Sequence, residues 1–188
     1  MVLVFVVLAG SVITALWSRL NHRPWEVPHL SSGWMVPVAL LPQWLAFYHP
    51  ATRKLFPIEW AAITLVCSQV LLLIFALRNH RQPGFWLLAV GLALNLLVIS
   101  LNGGLMPVDP GTAAHLQPDF TGGEWQAGTR FGWTKSLVIS ADEMRLAMLS
   151  DQIMLPGWFP FHAAVSPGDI CIVIGAIILL WKGGSHGA

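Results

Sequence analysis

The segment Trp60–Leu77, WAAITLVCSQVLLLIFAL, decides the fold class of this chain. It contains no charged residue, and its length suits the roughly 20 residues that an α-helix needs to cross a lipid bilayer. Backbone groups inside hydrocarbon must find their hydrogen bonds within the protein, and a helix provides them within one segment. The segment therefore predicts a membrane-spanning helix.

Four other parts of the chain are similarly apolar and complete a predicted set of five spans. We place these spans near residues 1–17, 33–49, 60–77, 85–101 and 167–182. The last has the shortest apolar core, Ile170–Trp181, and reaches membrane length when it begins at Pro167 and the Lys182 stem extends to the interface. The runs end at tryptophans, whose amphipathic rings suit the membrane–water interface. These are Trp17, Trp34, Trp60, Trp86 and Trp181.

The composition is that of a membrane protein. Hydrophobic residues make up 55% of the 188 residues and charged residues only 10%, whereas a soluble domain carries about 25% charged residues. The net charge of +1 offers no basic surface for a nucleic acid. We therefore predict membrane lipids as partners, with other membrane subunits as further candidates and nucleic acid excluded.

The basic residues of the short loops predict the orientation, because cytoplasmic loops are enriched in Lys and Arg. With the N-terminus outside, the cytoplasmic side holds Arg19, Arg23, Arg78, Arg81 and Lys182. The short outer loop then holds only Arg53 and Lys54. We expect the N-terminus outside, the C-terminus inside and the long loop 102–165 on the outer side.

The long loop 102–165 contains one predicted amphipathic helix, Ser140–Leu155. Ser140 and Glu143 have the spacing of a capping box, apolar residues recur at helical spacing, and Pro156-Gly157 would end the helix. The chain is thus expected to be a single all-α domain over residues 1–188. It would be an integral membrane helical bundle of about five transmembrane helices plus this short helix.

The turn after the fourth span, Asn102-Gly103-Gly104-Leu105-Met106-Pro107, has two interpretations. The Asn102 amide and the N–H groups of Gly103 and Gly104 could bind a polar ligand at the membrane surface. Alternatively, the glycines end the helix with a positive φ and Pro107 prevents its continuation. Helix termination is the more common use of such a sequence.

The segment Ser166-Pro167-Gly168-Asp169 precedes the fifth span. Serine at the N-cap, proline at the first helical position and an acid at the third are typical of a helix start. Asp169 could instead act as an acid–base group near the interface.

The polar residues deepest in the spans are Gln43, Gln69 and Asn95. Because an unpaired amide in hydrocarbon is costly, we expect each to meet another amide, a backbone group or a ligand. Gln43 follows Pro37 and Pro42, which should kink or break the second span. We treat Gln43 and Asn95 as candidate ligand-binding residues.

Lys135, Asp151 and Asp169 are the candidates for acid–base chemistry, provided that a cleft brings them together. A solvated polar face is the alternative. The seven histidines are scattered and form no i, i+4 pair, so no metal site is predicted. No catalytic residue is assigned and the cofactor is left open.

Three motifs together resemble a known family. They are the Asn102–Pro107 turn, the segment Leu149–Pro156, and Ser166–Ile170 leading into Ile172–Gly175. Their order and spacing are similar to those of an uncharacterised family of small bacterial polytopic membrane proteins, a domain of unknown function. The resemblance implies a multi-helix protein of the bacterial inner membrane and implies no activity.

Three functions are compatible with the sequence. The first is a non-enzymatic accessory or structural subunit of a larger bacterial membrane complex. The second is a small-molecule or lipid-binding sensor or carrier, with its site drawn from Asn102, Gly103, Gly104, Gln43, Asn95, Asp151 and Asp169. The third is a membrane enzyme acting on a lipid-linked substrate.

Overall fold

The computed structural model describes residues 29–117, 125–132, 134–157, 159 and 163–183. Its five α-helices are α1 (Met35–Phe47), α2 (Ile58–Arg78), α3 (Phe85–Leu101), α4 (Pro110–Leu116) and α5 (Pro167–Gly183). The predicted helices at 60–77, 85–101 and 167–182 correspond to α2, α3 and α5. The span predicted near 1–17 lies outside the described residues.

Helix length separates α2 from the other helices. Within the described residues, α2 is the one helix that is long and apolar enough to cross a membrane, at 21 residues. The helices α1 and α3 are apolar but shorter, at 13 and 17 residues. The described part of the chain is therefore mostly helical, with one helix of spanning length.

The helices pack in the order α1, α2, α3, α5, with the most extensive interface between α3 and α5. Glycines make this interface close. A Cβ atom added to Gly84 would lie 2.1 Å from the carbonyl oxygen of Gly175, and one added to Gly91 would lie 2.4 Å from that of Gly168. Because Gly84 faces Gly175 and Gly91 faces Gly168, the two helices are antiparallel.

The prolines of α1 were expected to kink or break the second span, but the helix is not broken at either of them. Pro42 lies inside the helix, which continues from Met35 to Phe47. Pro37 falls in the first turn, where a backbone N–H has no partner within the helix in any case. The second predicted span is thus one short, continuous helix.

The long loop is folded, and it corrects the all-α prediction. Strand β1 (Met106–Val108) pairs in parallel with β2 (Ser136–Val138), and β3 (Ile153–Met154) pairs antiparallel with β4 (Ala164–Val165). The seven-residue helix α4 is capped by Asp109, whose Oδ1 accepts from the N–H of Thr112 at 3.0 Å. A small apolar core lies beneath: Val108, Ala113, Phe131 and Val138. We call the described residues within 102–166 the loop layer.

The amphipathic helix predicted at Ser140–Leu155 is wrong. The segment contains a turn, one 3₁₀ turn at Ala147–Leu149 and the strand β3. Leu146 adopts a left-handed conformation with φ 55°, which an α-helix does not allow. The segment instead forms hydrogen bonds with distant parts of the chain. Arg145 bonds to Asn102 and β3 pairs with β4, and these bonds outweigh the local helix signal.

Candidate functional site

A cluster of buried polar side chains lies where the loop layer meets the helix ends. From α1 comes Gln43, which is only 3% exposed. Its Oε1 accepts a hydrogen bond from Nζ of Lys135, in the loop layer just before β2. Lys135 thus satisfies the amide that the sequence predicted to need a partner.

Aromatic rings surround this lysine. The Lys135 ammonium lies 6.0 Å from the ring centroid of Phe47 and 5.8 Å from that of Tyr48. Arg130 lies over the same Phe47 ring at 4.6 Å, and its guanidinium donates to the carbonyl of Ala46 at 3.4 Å. Two cations therefore occupy the C-terminal end of α1, where the helix dipole favours positive charge.

The second part of the cluster joins α3 to the start of α5. Nδ2 of Asn95 donates to Oδ1 of Asp169 at 2.8 Å, and Oδ1 of Asn95 accepts from the hydroxyl of Ser166 at 2.9 Å. Gly168 makes this possible, because a Cβ atom there would lie 2.0 Å from Oδ1 of Asn95. Asn95 is 4% exposed, so its hydrogen bonds form in a buried interface.

Asp169 caps the start of α5, and its other role, as an acid–base group, stays a prediction. The N–H of Asp169 donates to the hydroxyl of Ser166 at 3.0 Å, and the N–H of Ser166 donates to Oδ2 of Asp169 at 3.4 Å. This reciprocal pair confirms the predicted helix start. The other carboxylate oxygen, Oδ1, belongs to the cluster with Asn95.

Asp151 completes the cluster from the end of the 3₁₀ turn. The preceding residue, Ser150, is fully buried and its hydroxyl donates to the carbonyl of Ala147 at 2.6 Å, which holds this corner in place. The residue Asp151 is partly exposed, but its Oδ1 is buried and has no hydrogen-bond partner among the described residues. An ionised oxygen in this state lacks the donors that normally compensate burial.

The electrostatics of the cluster follow from burial. Burial lowers the pKa of Lys135 to about 8, although the charges of Asp169 and Asp151 act to raise it. Burial raises the pKa of Asp151 well above its ordinary range, the charge of Asp169 adds to this, and Lys135 opposes it. Asp151 and Asp169 are therefore close enough to Lys135 for their charges to affect it, and Asp151 is affected by both of the other groups.

The Asn102 turn is used by the fold. Nδ2 of Asn102 donates to the carbonyl of Val98 at 2.8 Å and to that of Arg145 at 2.9 Å, while its Oδ1 accepts from the N–H of Arg145 at 2.9 Å. Gly103 and Gly104 have φ of 78° and 83°, as a helix end requires. A ligand-binding role for these three residues stays a prediction.

Of the seven predicted site residues, the structure brings Gln43, Asn95, Asp151 and Asp169 to the cluster. From the sequence, Lys135 was predicted only as a candidate for acid–base chemistry, yet it donates a hydrogen bond to Gln43. Ser166 was expected only to cap a helix. The third deep amide, Gln69 on α2, has its Oε1 buried without a partner among the described residues.

The close approach of α3 and α5 at their glycines was not predicted from the sequence. The missed signal was a spacing of seven residues that occurs on both helices. It relates Gly84 to Gly91 and Gly168 to Gly175. No group of three or more His, Cys, Asp or Glu is arranged for a metal ion in the described part of the chain.

Comparison with known proteins gives a family and a relative. Residues 28–181 match the family described as "Family of unknown function (DUF5317)". An uncharacterized protein of Thermotoga maritima is 34% identical over 134 residues, which is 70% of each chain. No solved structure matches. The resemblance drawn from the sequence is confirmed in that the family is one of unknown function, and the chain belongs to this family, DUF5317.

Proposed function

We propose that this protein is an integral membrane protein of the bacterial inner membrane that binds a small polar molecule at the buried cluster. The membrane location is supported by the apolar helix surface that the rest of the described protein does not cover. Only 33% of the most apolar stretch of α2 is buried inside the protein, whereas the core helix of a soluble protein is mostly buried. Hydrocarbon is the solvent that suits such a surface.

The exposed apolar residues form stripes along the helices. On α5 they follow one face at helical spacing: Ile170, Ile174, Ile177 and Trp181. On α2 they are Trp60, Ile63, Val70, Ile74 and Leu77. Three exposed tryptophans, Trp34, Trp86 and Trp181, lie at the helix ends opposite the loop layer, and Trp60 lies at the other end. This distribution is typical of interfacial belts.

The helices α1, α3 and α5 are shorter than the hydrocarbon layer is thick, and this mismatch costs some free energy. At about 1.5 Å per residue, α1 is about 20 Å long and α3 and α5 about 26 Å, against a hydrocarbon layer of about 30 Å. Local thinning of the bilayer offsets such a mismatch at a fraction of a kcal/mol per Å. With the N-terminus outside, the cluster and the loop layer lie at the outer surface.

A labelling experiment tests location and orientation together. Cys67 is exposed on α2, so in a bilayer a membrane-impermeant maleimide should not reach it until detergent is added. With Cys171→Ala as the background, Gln126→Cys in the loop layer should be labelled in intact spheroplasts. Labelling of Cys67 without detergent would contradict a membrane-embedded α2. Protection of Gln126→Cys in spheroplasts would reverse the orientation.

The binding function rests on one observation, the buried Oδ1 of Asp151, which has no hydrogen-bond partner in the described ranges and interacts with the charges of Lys135 and Asp169. Proteins rarely leave a buried polar atom unpaired, and where they do, a bound water or ion or a functional role is a standard explanation. The site combines donors on Lys135 with an acceptor on Asp151. Groups of both kinds converging in one buried place are typical of small-molecule sites.

Native mass spectrometry of the detergent-purified full chain tests binding. The wild type should retain a small molecule, and Asp151→Asn should lose at least ten-fold of that occupancy. Asp142→Asn is the matched control, because Asp142 is an exposed aspartate of the same loop layer. An unliganded wild type, or equal occupancy in Asp151→Asn, would remove the binding proposal.

An accessory subunit is the second candidate, and one observation favours it. The corner of the loop layer beside Asp151 exposes apolar side chains, including Met148, which is 77% exposed, with Leu146, Ile153 and Met154 nearby in sequence. Co-purification of a stoichiometric membrane protein, lost on Met148→Glu and retained on Ala141→Glu, would support that role. Ala141 is also exposed in this layer.

A further inference from the structure

The ionisable groups that interact electrostatically around Asp151 are Lys135, which is basic, and the two acids Asp151 and Asp169. Asp169 is the better compensated of the two carboxylates, since it accepts from Asn95 and Ser166. Lys135 donates to Gln43, and the charge of Asp169 acts on it more strongly than that of Asp151. Lys135 interacts with both carboxylates, and Asp151 remains as the acid whose buried Oδ1 has no hydrogen-bond donor among the described residues.

Asp151 needs one positive charge that also donates a hydrogen bond. Its buried Oδ1 has no donor among the described residues, and burial makes ionisation unfavourable unless a cation is present. A proton meets this need when nothing else is bound. A ligand cation with N–H groups meets it too, because a charge-assisted N–H···O bond compensates both the charge and the missing donor.

The surroundings favour an organic cation over calcium. Calcium takes 6–8 oxygen ligands, whereas this site offers one unpartnered carboxylate oxygen in the described part of the chain. The oxygen of Gln43 is already used by Lys135, and no metal-binding group of residues is found there. One strong hydrogen bond suffices for an ammonium group, whose remaining N–H donors can stay hydrated.

We propose that Asp151 binds the ammonium group of an organic amine in exchange for a proton, an inference that rests on the binding function proposed above. The ammonium N–H donates to Oδ1 of Asp151, and the carboxyl proton leaves to solvent. Each binding event therefore adds one ammonium charge and releases one proton, so the net charge of the site does not change. The ammonium can belong to a free amine or to an aminophospholipid headgroup, since the loop layer lies at the membrane surface.

Proton exchange makes the affinity depend on pH. Below the pKa of Asp151 the affinity should rise by up to ten-fold per pH unit, because protonated Asp151 must ionise to bind. The facing titratable groups are Lys135 and Asp169, with Tyr48 beside Lys135. Deprotonation of Lys135 near pH 8 removes a competing positive charge, so it acts in the same direction.

Calorimetric titration of the full chain in phosphatidylcholine nanodiscs tests this inference, with ethylammonium chloride as the probe. Sodium, tetramethylammonium and acetate salts at equal ionic strength are the comparison probes. Ethylammonium should bind with release of about one proton, obtained from two buffers of different ionisation enthalpy. Tetramethylammonium, which has no N–H, and sodium should bind at least ten-fold more weakly.

Variants and lipids complete the design. Asp151→Asn should weaken ethylammonium binding at least ten-fold, and Asp142→Asn should not. Weaker apparent ethylammonium binding in nanodiscs with phosphatidylethanolamine would identify the headgroup as the source of the ammonium, and unchanged binding would identify a free amine. The wild-type proton release and the tetramethylammonium comparison decide the matter even if Asp151→Asn fails to fold.

The outcomes separate the two proposals. Binding of acetate alone, abolished in Lys135→Met, would overturn the ammonium inference and leave the binding function intact. Ethylammonium binding without proton release, or equal binding in Asp151→Asn, would also overturn the inference. No binding of any probe, together with an unliganded wild type in native mass spectrometry, would overturn both.

Discussion

Asn95 and Asp169 are joined across the interface of α3 and α5, where Nδ2 of Asn95 donates to Oδ1 of Asp169 at 2.8 Å. The two residues are 74 positions apart in the chain. Their contact requires Gly168, because any side chain there would occupy the place of the Asn95 amide. The close packing at Gly168 and the candidate binding site therefore depend on the same two helices, α3 and α5.

Removal of the Asn95 amide should destabilise this junction. Asn95→Ala leaves Oδ1 of Asp169 and the hydroxyl of Ser166 without their partner, so we expect the free energy of unfolding to fall by about 1–3 kcal/mol. Ser100→Ala, at an exposed position of α3, is the control and should change little. Chemical unfolding in detergent measures both, and equal losses would contradict the assignment.

The glycine interface should not tolerate a methyl group. In Gly91→Ala the new Cβ would lie 2.4 Å from the carbonyl oxygen of Gly168 and 2.7 Å from Cγ1 of Ile172. We expect a loss of about 1–3 kcal/mol or more, as for other overpacked interiors. Gly33→Ala is the control, because its Cβ meets nothing within 4 Å. Similar melting temperatures for the two variants would show that α3 and α5 are not this close.

Asn102 should hold the loop layer to the end of α3. Asn102→Ala removes three hydrogen bonds, two of them to the backbone of Arg145. We expect faster amide hydrogen exchange around Arg145, by about ten-fold or more for a loss of about 1.4 kcal/mol or more. Gln152→Ala, exposed in the same layer, should leave exchange at Arg145 unchanged. Unaltered exchange in Asn102→Ala would contradict the tether.

Lys135 should make stability rise with pH in an alkaline range. Its pKa is about 8 in the folded protein against 10.5 for an ordinary lysine, so the unfolded chain binds more protons between these values. The free energy of unfolding should then increase from about pH 8 to about pH 10.5, by up to about 3 kcal/mol. Denaturant unfolding at several pH values measures the slope.

The control for this slope is Lys135→Arg. Arginine keeps its positive charge throughout the range, so the variant should lack the rise that the wild type shows. A rise of equal size in Lys135→Arg would assign the effect to another group. The comparison also separates the titration of Lys135 from a general effect of alkaline pH on the protein or the detergent.

Local signals predicted some elements well and others badly. The apolar runs located α2, α3 and α5, and the Ser166–Asp169 sequence located the start of α5. The same kind of signal failed at Ser140–Leu155, where capping spacing and apolar periodicity indicated a helix. There, the hydrogen bonds of Asn102 to Arg145 and of β3 to β4 stabilise another backbone conformation.

The candidate site was only partly predictable for the same reason. Deep amides such as Gln43 and Asn95 can be recognised in a sequence, because an unpaired amide in an apolar segment is costly wherever the segment lies. Their partners cannot be recognised in this way. Lys135 is 92 positions from Gln43 and Ser166 is 71 from Asn95, and nothing local to either residue indicates the other.

The sequence by itself determined the apolar character of this protein and the position of its main helices, because transfer of side chains from water and helix capping are properties of short segments. The tertiary structure decided which polar groups meet and that Oδ1 of Asp151 has no hydrogen-bond partner in the part of the chain that the structure describes. Those outcomes depend on how closely α3 and α5 approach at their glycines and on where the loop layer folds back onto the helix ends. Both depend on many contacts between residues that are distant in sequence, so no single segment encodes them.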